Sequence, residues 1–153
     1  MFLKSKLNVA VLGGGSWGTA LVKILTENKR NVGWYIRNPV NADFIKKYSH
    51  NPNYLSATKL KTKRLLISSN INQIVSEADV LIISIPSAFL SCEFEKLNQT
   101  INDKIIFSTV KGVVPESMLI VGEHLNRIFN VPIEKIGVIS GPSHAEEIAM
   151  ERL

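Results

Sequence analysis

The chain holds one cysteine, Cys92, in 153 residues. That excludes an internal disulfide and leaves too few thiolates for a cysteine-built zinc site. The three histidines, His50, His124 and His144, show no H-x-x-x-H spacing, so no metal is expected and each reads as a surface or loop residue. Long apolar runs are also missing. The longest apolar segment, Val80 to Ile85, is far short of the roughly 20 residues that span a bilayer. Lys4 and Lys6 precede an apolar run as in a signal peptide, but Gly13 to Gly15 break it where a targeting helix would continue. No membrane insertion and a reduced, cytoplasmic setting are therefore expected. Runs of like charge are scarce. Beyond single residues and the pairs Lys29-Arg30 and Lys46-Lys47, Lys and Arg gather only in Lys59-Leu-Lys61-Thr-Lys63-Arg64, which reads as a solvated loop, so a net charge of +5 and a pI near 9.4 do not imply a nucleic-acid surface. The modest positive balance suits phosphorylated ligands instead.

What is present is a globular composition, 45% hydrophobic and 20% charged, of about one domain in length. Apolar runs rich in Val and Ile alternate with amphipathic stretches, the pattern of a parallel sheet wrapped by helices. The expected strands are Leu7 to Leu12, Asn31 to Ile36, Leu65 to Ser69, Val80 to Ile85, Lys104 to Ser108 and Lys135 to Ile139. The expected helices are Trp17 to Asn28, Asn41 to Tyr48, Ile71 to Ser76, Ala88 to Leu97 and Glu116 to Phe129. Asn38-Pro39 and Ile85-Pro86 mark strand ends. The fold class that follows is α/β: a Rossmann-like, doubly wound, mainly parallel sheet with helices on both faces. Ligand-binding residues should then follow the strands' carboxyl ends.

The first such crossing carries the clearest signal. Asn8-Val-Ala-Val-Leu-Gly13-Gly-Gly15-Ser16-Trp17-Gly18 turns a strand into a helix through glycines spaced G-x-G-x-x-G. Gly13 permits the tight turn, Gly15 leaves the backbone open to a phosphate, and Gly18 lets the helix sit close on the strand. The helix then aims unpaired N–H groups and its positive dipole end at the anion. Such a loop, between a strand and a helix, reads as a dinucleotide pyrophosphate site, with a merely structural turn as the alternative.

Other strand ends add chemistry. After the second strand stands Arg37, where an Asp or Glu would select NAD. An arginine there can hold a 2′-phosphate or stack on adenine, so the reading leans to NADPH; an exposed turn arginine is the alternative. Ser84-Ile-Pro-Ser-Ala-Phe89 combines a stiff turn with small residues and serves equally as close approach to a cofactor or as a structural turn. In Ser108-Thr-Val-Lys111-Gly112 a lysine leaves an apolar strand, at the nicotinamide end of the crevice, where its ammonium can bind an anionic or carbonyl-bearing substrate. A snorkelling surface lysine is the alternative. Ser143, after Gly141-Pro142, is either a helix cap or a ligand contact. The final helical pattern runs to Leu153 without a capping glycine, which reads as the amino-terminal domain of a longer protein.

Taken in order, Gly13-Gly-Gly-Ser-Trp-Gly-Thr-Ala-Leu21, Asn53-Tyr54-Leu55, Val110-Lys111-Gly112 and Ser140-Gly-Pro-Ser-His-Ala-Glu-Glu-Ile-Ala149 resemble the bacterial NAD(P)-dependent glycerol-3-phosphate dehydrogenases over essentially the whole chain. The resemblance implies that Gly13, Gly15, Ser16, Trp17, Gly18, Arg37, Tyr54, Lys111 and Ala145 contact NAD or NADP. It further implies that Lys111, Gly141 and Ser143 contact the substrate. The implied reaction is reversible hydride transfer between NAD(P)H and dihydroxyacetone phosphate, giving sn-glycerol 3-phosphate for phospholipid synthesis. The full-length protein can be a homodimer, and no nucleic-acid partner is implied.

The chain departs from the family in carrying Ser56-Ala57 after Tyr54-Leu55, where relatives usually carry Pro-Gly. The family's proton-transferring lysine lies in a following helical substrate domain, so residues 1–153 read as the dinucleotide-binding domain alone and no catalytic residue is named in them. Two other readings stand beside this one. A dehydrogenase of the hydroxyacyl-CoA or 6-phosphogluconate kind would not be expected to carry the Gly-Pro-Ser-His-Ala-Glu-Glu stretch, and a non-catalytic dinucleotide-sensing module would not need Lys111 and Ser143 in one crevice.

Overall fold

The computed structural model describes residues 7–28, 30–141 and 144–150. β1 (Val9–Leu12) leads into α1 (Ser16–Glu27), β2 (Val32–Tyr35) into α2 (Pro39–Tyr48), β3 (Leu65–Ser68) into α3 (Ile71–Ser76), and β4 (Val80–Ile83) into α4 (Ser87–Phe94). After β5 (Ile105–Ser108) comes a short antiparallel hairpin of β6 (Val113–Val114) and β7 (Leu119–Ile120). It is followed by α5 (Val121–Phe129), β8 (Ile136–Val138) and α6 (Ala145–Ala149). The six longer strands pair in parallel in the order β3-β2-β1-β4-β5-β8. This is the expected doubly wound sheet.

Strand alternation divides the core between the two faces. Leu12, Tyr35, Leu81, Ile83 and Ile106 pack with Ile74, Leu90 and Leu125 from α3, α4 and α5. On the other face Val11, Trp34, Ile36 and Ile82 pack with Val22 of α1 and Ala42 and Ile45 of α2. β4 is buried along its whole length, as a central parallel strand covered on both faces must be. Asn38 and Asn70 cap α2 and α3, their side-chain oxygens accepting the Val40 and Asn72 N–H at 2.9 and 3.0 Å. With that cap and a proline in the first helical turn, α2 begins at Pro39 rather than at Asn41.

The register sets up the ligand edge. Leu12 stands level with Tyr35 and Ile83, and Ile83 with Ser108, so the connections that leave these strands start side by side. The winding direction reverses between β1 and β4. Open α/β sheets place their ligand crevice at such a reversal.

Two sequence expectations need correction. Glu116 to Ile120 do not begin a helix, because Met118 takes φ +56° and its N–H bonds back to the Val114 carbonyl at 2.8 Å, closing the β6–β7 turn. The helix starts only at Val121. His124 is also no surface residue. It is 3% exposed on the inward side of α5 beside Leu125, with Nδ1 2.8 Å from the Ser117 hydroxyl and Nε2 lacking a partner among the described residues. Burial holds its imidazole below the ordinary value, with the Glu116 charge partly opposing. His50 is half-buried, donating Nδ1–H to the Ser56 carbonyl at 2.9 Å, and His144 is exposed.

Candidate functional site

The glycine loop, between β1 and α1, stands where the strand order reverses. Gly13 has φ +124°, and a Cβ there would stand 2.6 Å from the Ser84 carbonyl oxygen. On Gly18 a Cβ would stand 2.1 Å from the Gly13 oxygen, so both positions admit no side chain. Gly15 differs, since its Cβ would meet nothing within 4 Å. The loop is tight on its inner side and open on its outer side.

Each of the three loop carbonyls has a partner, that of Gly15 in the first turn of α1 itself. Gly13 accepts the Trp34 indole N–H at 2.9 Å, Gly14 the Asn51 amide at 3.0 Å, and Gly15 both the Thr19 amide and hydroxyl at 2.9 Å. No side chain caps α1, so its first-turn amides at Ser16, Trp17 and Gly18 have no acceptor within the helix. That donor set, in front of a gap a Cβ would fill, fits a pyrophosphate. Ser16 and Trp17 are both partly buried at this turn.

Asn51 extends the arrangement to the next loop. It is 2% exposed, also donates to the Thr19 hydroxyl at 2.8 Å, and accepts the Asn53 and Tyr54 N–H at 3.0 and 3.3 Å. Tyr54 is held at the backbone while the residue as a whole stays 45% exposed. The loop that carries Ser56-Ala57 is closed by Leu55 at φ +50° and a 2.7 Å bond from the Thr58 N–H to the Leu55 carbonyl.

At the end of β2, Arg37 lies with its guanidinium carbon 5.0 Å from the Phe89 ring centre and Nη1 3.8 Å from Glu93 Oε1. The Arg37 side chain is 59% exposed and that of Glu93 only 2%. Glu93 also accepts the Tyr35 hydroxyl and the Lys96 ammonium, the latter at 2.8 Å. Burial, reinforced by the Glu93 bond and charge, pushes the Tyr35 hydroxyl well above the ordinary phenol value.

The other half of the edge is built by β4, β5 and β8. The Ser84 and Thr109 hydroxyls lie 3.0 Å apart, and Thr109 donates to the Ile83 carbonyl at 3.0 Å. Lys111 follows in an exposed position, and Gly112, at φ +86°, lies against Ser87, whose hydroxyl would be 3.9 Å from an added Cβ. β8 ends one strand over, and Gly141 is exposed there at φ +155°. Lys111 and Gly141 thus leave neighbouring strands. Ser143 lies outside the described residues. Ala145, 4% exposed, starts α6 packed with Ala20 of α1, so only its backbone can face a ligand.

Sequence reading missed Trp34, Asn51 and Glu93. Glu93 did leave a trace, an acid between the apolar Leu90 and Phe94 of α4. Asn51 and Trp34 left none, because their partners are 37 and 21 residues away. Among the described residues no group of three or more His, Cys, Asp or Glu side chains could hold a metal, and no helix is long and apolar enough to cross a membrane.

Comparison with known proteins bears on the same crevice. The family model described as NAD-dependent glycerol-3-phosphate dehydrogenase N-terminus matches residues 8–153. The chain is 35% identical over 147 residues to a glycerol-3-phosphate dehydrogenase (NAD(P)+) of Macrococcus caseolyticus, covering 95% of this chain and 44% of that protein. It is 33% identical over 141 residues to the protein of the same name from Ectopseudomonas mendocina, covering 92% and 41%. Among solved structures, glycerol-3-phosphate dehydrogenase from Coxiella burnetii superposes with a TM-score of 0.79 at 26% identity, over 95% of this chain and 44% of that one. The Plasmodium falciparum enzyme shares the fold at a TM-score of 0.83 and 24% identity, over 95% and 43%. The chain spans less than half the length of the curated relatives it matches.

Proposed function

The chain belongs to the family of NAD-dependent glycerol-3-phosphate dehydrogenase N-terminal domains, and we propose that it is the cofactor-binding part of an enzyme that interconverts dihydroxyacetone phosphate and sn-glycerol 3-phosphate. The observation that carries this reading is a glycine loop with all three carbonyls engaged, no side-chain cap on α1 and open space where a Gly15 Cβ would stand, which leaves the first α1 amides to an anion. In this reading Gly13, Gly15, Ser16, Trp17 and Gly18 bind the pyrophosphate, with Arg37 and Tyr54 on the adenosine side. Lys111 and the backbone of Ala145 serve the nicotinamide side. The exposed Arg37 guanidinium favours a 2′-phosphate, and we take NADPH as the better ligand of the two.

A nicotinamide cofactor, when bound, supplies the hydride. Lys111 holds the anionic or carbonyl end of the substrate by a charge-assisted hydrogen bond, and Gly141 and Ser143 complete that side. Proton transfer to the substrate oxygen is assigned to a group beyond these residues, because the matched relatives extend to more than twice this length. Assembly as a homodimer and a cytoplasmic location belong to the same proposal.

The test is turnover. A protein with the relatives' full length should oxidise NAD(P)H on addition of dihydroxyacetone phosphate, whereas residues 1–153 should bind cofactor without turning over. Steady oxidation by the 153-residue chain would overturn this division of labour.

A further inference from the structure

We propose that Glu93 sets the discrimination between NADPH and NADH by tempering the charge of Arg37. This rests on the reading of Arg37 as the group that faces the ribose 2′ position. A carboxylate that is 2% exposed is costly unless its charge is answered. Tyr35 and Lys96 answer it with hydrogen bonds, the latter at 2.8 Å. Arg37 stands further off, at 3.8 Å, beyond hydrogen-bond reach. Glu93 therefore acts on Arg37 as a nearby charge, and none of the guanidinium donors is committed to it.

Phe89 supplies the other constraint. The Arg37 guanidinium lies over its ring at 5.0 Å, a geometry held by cation–π attraction, so one guanidinium face is covered while the N–H edge remains available. Without Glu93 the side chains of Arg37 and Lys96 would present two cations at the end of β2. With it they present a net single charge, delivered from a fixed plane. A 2′-phosphate gains from every added positive charge, whereas a 2′-hydroxyl gains little. Glu93 is thus a positioning residue that holds the site near dual use of the two cofactors rather than strict use of NADPH.

The experiment measures the ratio of NADH to NADPH dissociation constants by fluorescence titration of the 153-residue chain, for the native protein, Glu93→Gln, Arg37→Gln and the double variant. Glu93→Gln keeps an acceptor for Tyr35 and removes the charge. It should raise the ratio roughly three- to tenfold, the attenuation expected of a charge acting across partly solvated space. The rise should shrink with added salt and be smaller in the Arg37→Gln background, where only the Lys96 charge is left unanswered. Should Glu93→Gln fail to fold, Tyr35→Phe combined with Glu93→Met removes both partners of the buried bond, and the same rise is expected. A ratio that is unchanged, or that moves toward NADH, in a folded charge-removing variant overturns the inference while leaving Arg37 in place if Arg37→Gln alone lowers the ratio. If Arg37→Gln leaves the ratio unmoved, the reading of Arg37 fails and the role of Glu93 fails with it.

Discussion

Asn51 donates its side-chain amide to the Gly14 carbonyl at 3.0 Å across 37 residues of sequence. The same side chain binds the Thr19 hydroxyl and the amides of Asn53 and Tyr54, so one buried residue ties the glycine loop, the first helix and the Tyr54 loop together. Asn51→Asp keeps the acceptor but loses both donated bonds and faces a carbonyl with a carboxylate. It should cost about 1–3 kcal/mol of stability and weaken dinucleotide binding roughly tenfold. Urea unfolding and a cofactor titration measure the two effects. Unchanged binding in a folded Asn51→Asp protein would show that the loop keeps its shape unaided.

The glycines separate folding from binding. Gly18→Ala forces a Cβ to 2.1 Å from the Gly13 oxygen, and the helix must move off the strand, so the variant should be severely destabilised or insoluble. Gly15→Ala meets no protein atom within 4 Å. Its stability should stay within about 1 kcal/mol of the native chain while dinucleotide binding falls. A Gly15→Ala chain that still binds normally would mean that the phosphate does not lie against that residue.

His124 gives a pH signature. Its folded-state value lies below the ordinary 6.5 because of burial, so the unfolded chain takes up a proton more readily. Its neutral form contributes fully above about pH 6.5, and stability is lost as pH falls from there toward the lower folded-state value. Urea midpoints should drop between pH 7.5 and pH 5.5. In His124→Leu that part of the pH dependence should disappear, whatever the change in overall stability. An identical slope in the variant would assign the loss to other groups.

Lys111 is exposed at the exit of β5, on the edge that also carries Gly141. In a protein of the relatives' full length, Lys111→Ala should lower kcat/KM by roughly 10- to 150-fold, the equivalent of one charge-assisted hydrogen bond of about 1.5–3 kcal/mol. Steady-state kinetics with dihydroxyacetone phosphate gives the number. Native-like kinetics would remove Lys111 from the substrate site.

How far the sequence could be read depends on the range of the contacts. β1, the glycine turn and α1 were legible because 20 consecutive residues, 8–27, carry both the apolar pattern and the breakers. Central strands such as Val80–Ile83 were legible because burial on two faces leaves an unbroken β-branched or leucine run. The hairpin at Val113–Ile120 was not, since its turn rests on Met118 adopting a left-handed conformation that no glycine or asparagine announces. Glu93 and Asn51 stayed hidden for another reason. Their roles come from partners such as Tyr35, 58 residues away, and Gly14, 37 residues away, which only the sheet order brings together.

The central claim is that the glycine-loop crevice binds a nicotinamide dinucleotide, and titration tests it most directly. Trp17 stands at the first turn of α1 and Trp34 bonds the Gly13 carbonyl, so the chain's fluorescence reports on the loop itself. The account predicts saturable quenching by both NADH and NADPH at or below millimolar concentration, with NADPH the tighter, and loss of that quenching in Gly15→Ala. A chain shown by circular dichroism to be folded, yet giving no saturable response to either dinucleotide at millimolar concentration, would contradict it.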